Sequence, residues 1–186
     1  MKKEASLSIV EDVAAKKFLF VRNLRGINEG CINFPGGKKE PNEDMRQCVI
    51  RETKEETGLD IKNPQPVGYI EFPNKEFYVH VFYTNEFSGN LQAKDGEVEA
   101  FWLDKDNIPF EQMRAADRDF LPEILSGKFV RRRYFYDDNF QVAKSEDIVD
   151  EPQNEPACNA SAASLKTHSA KNKNNACFMR NSGLDR

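Results

Sequence analysis

Between Asn28 and Leu59 a glycine-rich loop runs directly into a heavily charged helix, a combination that few folds can use. The loop, NEGCINFPGGKK over residues 28–39, holds Gly30, Pro35, Gly36 and Gly37. Adjacent glycines permit backbone angles and close approaches denied to other residues. Asn42 predicts an N-cap, and Glu43 and Asp44 fill the first turn, where the helix dipole favours negative charge. Gly58 supplies a left-handed stop after Thr57, so the helix is expected from about Glu43 to Thr57.

At ~100° per residue, Met45, Cys48 and Val49 form an apolar stripe that Glu52, Glu55 and Glu56 continue. Glu52 lies three and four residues from Glu55 and Glu56, so the carboxylates repel each other. They also crowd the helix end whose dipole disfavours anions. Each exposed effect is worth only a few tenths to about 1 kcal/mol, but all share one sign. One account is an ordinary solvated face, with Arg51 and Lys54 supplying intrahelical ion pairs. The other is a divalent cation site: a hard ion takes several oxygen ligands, and the adjoining glycine loop offers carbonyl oxygens and amide donors for phosphate.

The rest of the chain supplies the scaffold. Ser6–Val10 and Phe18–Val21 read as strands, which rules out an all-helical fold. Further strand-like runs follow at Val67–Phe72, Tyr78–Phe87 and Glu97–Leu103. The middle one is apolar on both faces and is expected at the centre of a sheet. A second helix is expected over Asp117–Leu125, and a last strand within Lys128–Phe140. Phe178 is the only one of 14 Phe beyond residue 142, and every Tyr and Trp102 precede that point. The domain is therefore placed at 1–142, and the polar stretch 143–186 is expected to be a disordered tail, too poor in apolar surface to offset its ordering entropy.

A formal net charge of -4 gives the molecule no bias toward a nucleic-acid polymer or an anionic membrane, so a small anionic substrate needs a local cation. Cys31, Cys48, Cys158 and Cys177 lack zinc or disulfide spacing. With no apolar run of signal or spanning length, a cytoplasmic monomer acting on a small molecule is the expectation.

Gly37, Glu43, Arg51, Glu52, Glu55, Glu56, Gly58 and Leu59 stand at the spacing G-x5-E-x7-R-E-U-x-E-E-x-G-U, which resembles the Nudix box. Thr53 departs from the usual aliphatic position but keeps a methyl group for packing. The resemblance implies an α/β fold, an α/β/α sandwich around a mixed β-sheet. It also implies magnesium, with manganese as a substitute, held by Glu52, Glu55, Glu56 and the Gly36 carbonyl. Arg51 would orient a box glutamate, Glu43 would brace the loop or help with metal binding, and Glu56 or Glu52 would be the catalytic base. Glu97 is either a further ligand or base, or a surface acid at a strand edge.

Beyond the box, VGYIEF (67–72), YVHVFYTNEFSG (78–89) and FWLDKDNIPFEQM (101–113) look similar to the MutT-like branch, which hydrolyses oxidised purine nucleoside triphosphates in nucleotide-pool sanitation. That likeness implies a base pocket with Asn33, Phe72 and Asp117, and phosphate contacts near Gly37 and Lys38. The ordinary alternatives are loop capping for Asn33, core packing for Phe72 and a helix N-cap for Asp117. Where the animal sanitising enzymes carry a Trp and two adjacent Asp, this chain has Arg114, Ala116 and Asp117, which puts 8-oxo-guanine preference in question. Pro73 keeps open an ADP-ribose or other nucleoside-diphosphate-sugar substrate, a dinucleoside polyphosphate is a further alternative, and a nucleotide sensor that binds without cutting is a third reading.

Overall fold

The computed structural model describes residues 3–26, 28–92, 96–137 and 141–149. Its strands are β1 (Lys3–Asp12), β2 (Lys17–Asn23), β3 (Ile32–Asn33), β4 (Asp60–Lys62), β5 (Gln65–Phe72), β6 (Phe77–Thr84), β7 (Glu86–Ser88), β8 (Val98–Asp104), β9 (Val130–Tyr136) and β10 (Val142–Asp147). Two helices, α1 (Met45–Thr57) and α2 (Ala115–Leu125), complete the fold. No helix among the described residues is long and apolar enough to cross a membrane.

The main sheet runs β10-β9-β5-β6-β1-β2-β3, with β8 paired to β2, while β4 and β7 form a separate pair. It is mixed: β1 lies parallel to β6, and β5 parallel to β9, whereas the other pairs are antiparallel. As its two apolar faces require, β6 sits inside the sheet, between β5 and β1.

Strand periodicity explains the layers. Ile9, Phe20 and Val81 enter one core with Phe120, Leu121 and Ile124 of α2. Their chain neighbours Val10, Leu19 and Phe82 enter another with Val49 of α1. Because successive strand side chains point to opposite faces, the two helices cover opposite sides of the sheet, giving an α/β/α sandwich.

The helix α1 starts two residues later than expected. Asp44, not Asn42, is the cap: its carboxylate accepts from the Gln47 amide at 2.8 Å, and the Gln47 side chain accepts from the Asp44 amide at 2.8 Å. This reciprocal box stabilises the helix by about 1 kcal/mol. Gly58 stops it at φ 79°, and its amide donates to the Lys54 carbonyl. Thr53 is fully buried and returns its hydroxyl proton to the Val49 carbonyl at 2.7 Å, so the polar atom is satisfied and the helix seats normally.

The fold does not end at residue 142. β10 runs on to Asp147, pairing with β9. Its acids, which read as tail composition, meet basic partners: Asp147 binds Arg132 at 2.7 Å and Glu146 binds Arg133 at 3.2 Å. The remainder of the predicted tail, 150–186, lies outside the described residues. The expected strand over 78–87 is broken into β6 and β7 at Asn85, and the expected last strand stops at Tyr136.

Candidate functional site

The glycine loop is pinned to β1 by its backbone. The Ser8 amide donates to the Pro35 carbonyl at 2.7 Å and the Ser6 amide to the Gly37 carbonyl at 2.8 Å. The fit leaves no room for side chains. A Cβ on Gly36 would stand 2.1 Å from the Ser6 carbonyl oxygen, and one on Gly37 would stand 2.3 Å from the Glu52 carboxyl carbon. The Gly36→Ala variant is therefore expected to lose about 2 kcal/mol or more of stability in urea unfolding, because backbone must move to admit the methyl group. An unchanged midpoint would show that the loop does not grip β1 as described.

Across the loop lie the helix acids. The Gly36 amide donates to Glu56 Oε2 at 2.8 Å, and the Glu52 carboxylate covers Gly37. Arg51 is the hub: it donates to both Glu43 oxygens at 3.0 and 2.7 Å, to Glu52 at 2.9 Å, to Glu55 at 3.1 Å and to the Lys38 carbonyl at 3.0 Å. That forked grip holds the Glu43 carboxyl down to about 2. Glu56 goes the other way: burial pushes it up to about 7, against the Gly36 hydrogen bond and helped by the negative charges of Glu52, Glu97 and Glu55. Glu52 is likewise raised by burial.

The intrahelical ion pair foreseen for Arg51 exists with Glu55, but Lys54 turns away to Asp60 at 2.6 Å. Glu55 does not extend the buried face as the wheel suggested; its side chain is 51% exposed. Glu97 stands on the exposed turn before β8, paired with Arg25, close enough for its charge to be felt at Glu56.

Among the described residues no three acids converge on one point, because Arg51 and the Gly36 amide already engage them. The donor set nevertheless suits a hard divalent cation. It consists of carboxylate oxygens beside glycine backbone, with Glu56 pushed toward neutrality first by burial and further by the neighbouring acids. The clearance at Gly37, which only a hydrogen can occupy, brings the Glu52 carboxylate onto the loop itself.

Glu56 also lines a cavity of about 350 Å³, a volume typical of small-molecule sites. Asn33, Gly36, Gly37, Lys38, Phe72 and Asp117 line it too, whereas Glu52, Glu55 and Glu97 do not. Phe72 is both core and wall: it is buried, yet reaches the cavity and stacks on Tyr136 at 5.5 Å and 11°. Asn33 accepts from the Phe34 amide at 2.8 Å while also facing the cavity. Asp117 is not the cap of α2; that position belongs to Arg114, which uses no side-chain bond. Instead Asp117 stands in the first turn, 8% exposed, and its Oδ2 has no hydrogen-bond partner. Burial pushes its carboxyl up to about 7, with Arg114 opposing.

Sequence reasoning missed Tyr136 and Lys75 as wall residues. Tyr136 falls on the cavity side of β9 through strand alternation, which is legible only once the register is known.

The NUDIX domain profile matches residues 2–124. An oxidized purine nucleoside triphosphate hydrolase of Danio rerio is 32% identical over 126 residues, covering 66% of this chain and 80% of the fish protein. An ADP-ribose pyrophosphatase of Methanocaldococcus jannaschii is 34% identical over 97 residues, covering 50% of this chain and 57% of that protein. Among solved structures, the MutT protein from Bacillus halodurans matches with a TM-score of 0.64 at 25% identity, over 77% of this chain and 96% of that one. The loop, the capped helix and its acids thus occur together in a sandwich shared with these relatives, and the chain belongs to the Nudix family of hydrolases.

Proposed function

We propose that this hydrolase splits purine nucleoside triphosphates, oxidised ones among them, into the monophosphate and pyrophosphate. The observation that carries the reading is one cavity lined both by a box glutamate, Glu56, and by a buried carboxyl, Asp117, whose Oδ2 lacks a partner. A purine edge presents paired donors and acceptors to such a carboxyl and to the Asn33 amide, while Phe72 gives the ring an apolar wall. The Danio rerio relative, named for oxidised purine nucleoside triphosphates, supports the same reading.

Magnesium, or manganese in its place, fits the Glu52, Glu55 and Glu56 carboxylates with the Gly36 carbonyl; when bound it neutralises phosphate charge and acidifies water. The remaining work belongs to the chain. Glu56, at the cavity and fixed by the Gly36 amide, takes the proton of the attacking water, with Glu52 the other candidate base. Arg51 does not itself line the cavity and acts by positioning, holding Glu43, Glu52 and Glu55 on one ridge and gripping the Lys38 carbonyl. Gly37 and Lys38 line the same cavity and are the residues expected to contact the phosphates. Glu97, whose charge is felt at Glu56, is the remaining acid able to assist as ligand or base.

The test is a panel of ordinary and oxidised purine dNTPs, ADP-ribose and dinucleoside polyphosphates, each with magnesium, with manganese and with chelator. Pyrophosphate release from a purine triphosphate, abolished by chelation, is expected. AMP from ADP-ribose alone would replace this reading with the one that Pro73 and the Methanocaldococcus jannaschii relative favour. Tight binding with no turnover of any substrate would make the protein a nucleotide sensor.

A further inference from the structure

Arg114 and Asp117 reach the cavity from the start of α2, one turn apart. They stand in opposite conditions. Asp117 is buried, with Oδ2 unpartnered. Arg114 is exposed and forms no ion pair among the described residues, although its positive charge bears on both Asp117 and Tyr136. A cation and an anion that share a wall without satisfying each other leave a donor group beside an acceptor group, both available to a ligand.

We propose that Arg114 is a specificity-determining residue of this pocket, selecting together with Asp117 purines that carry a carbonyl at C6 over 6-aminopurines. The inference rests on the nucleotide reading given above and narrows it. A guanidinium offers donors only, and an ionised carboxylate offers acceptors only. The edge of guanine or hypoxanthine presents a C6 carbonyl acceptor next to an N1–H donor, the complement of that pair. Adenine presents the reverse, an amino donor next to a bare N1 acceptor. At this wall it would set donor against donor and acceptor against acceptor, unless Asp117 took up a proton. Burial favours that proton up to about pH 7 and the positive charge of Arg114 opposes it only in part, so the selection belongs to pH above about 7, where Asp117 is ionised. Discrimination of this kind, in which the wrong ligand leaves buried polar groups unpaired, is stronger than any difference in apolar contact.

The experiment compares kcat/KM for dGTP, dITP and dATP, with magnesium, in the wild type and in Arg114→Gln and Arg114→Lys. The wild type is expected to favour dGTP and dITP over dATP by about tenfold or more, the discrimination a good pair of edge contacts gives. Arg114→Gln presents both a donor and an acceptor, so the preference should collapse to within about threefold. The loss should fall on KM for the 6-oxopurines, dATP should gain as the opposed donor is removed, and the unfolding midpoint should stay unmoved, because Arg114 is exposed. Arg114→Lys, with its charge but no fork, should fall between the two. A wild-type preference for dATP, or a ratio unchanged in Arg114→Gln, overturns the proposal while purine triphosphate hydrolysis stands. If no triphosphate is cleaved at all, the broader reading fails and this one with it.

Discussion

The Glu56→Gln variant is expected to lose roughly 10³-fold in turnover while folding as well as the wild type. The two halves of that result come from different atoms of the same environment. Glu56 Oε2 accepts from the Gly36 amide at 2.8 Å, and a glutamine carbonyl can accept the same bond, so loop and helix stay joined. Removing the negative charge relieves a group that burial and the neighbouring Glu52, Glu97 and Glu55 already disfavour. The fold therefore gives up nothing, and the thermal midpoint should not fall. What disappears is the proton acceptor at the cavity and one anionic oxygen of the acid cluster. Single-turnover assays beside thermal unfolding read both quantities. Turnover within tenfold of wild type would remove Glu56 from the chemistry, and the parallel Glu52→Gln variant would then show whether the adjacent acid is the base.

Much of this site was readable in the chain because its signals are local. The Gly37-to-Leu59 spacing fixes a loop, a helix and a stop within one continuous segment, and the structure puts Gly58 in the left-handed conformation the stop requires. The cap was misplaced from Asp44 to Asn42 because both are good caps; the reciprocal Gln47 bond, not residue type, decides between them. Long-range pairing was harder to see. Asp147 and Glu146 looked like tail acids because their partners, Arg132 and Arg133, belong to another strand. Asp117 reads equally well as a cap or as a binding group until α2 is known to begin at Ala115, which leaves its carboxyl inside the cavity. The helical wheel placed the three acids on one ridge but not the order of their exposure, which depends on where the loop folds back.

Asp117→Asn should stabilise the protein at alkaline pH and leave it unchanged at acid pH, an effect on the order of 2 kcal/mol. Burial raises the folded carboxyl to about 7 from its ordinary 3.8, so the folded state keeps a proton that the unfolded chain has already released. Below about pH 4 both states are neutral, and the group costs the fold nothing beyond an ordinary buried polar atom. As pH rises from about 4 to about 7 the unfolded chain gains a solvated charge that the folded one resists, and stability falls; above about 7 the loss is constant. Arg114 recovers only part of it. An asparagine does not ionise, so urea-unfolding free energies of variant and wild type should coincide near pH 4 and diverge toward pH 8. A difference that stays flat with pH, or a variant less stable at pH 8, would mean that the carboxylate is already satisfied in the free protein. The same substitution should weaken purine binding, since the ionised acceptor pair becomes one acceptor and one donor. A residue that costs stability in the free protein and gives it back only when a ligand supplies hydrogen-bond donors is how a recognition group behaves, whereas at a helix cap asparagine serves about as well as aspartate and neither measurement would move much.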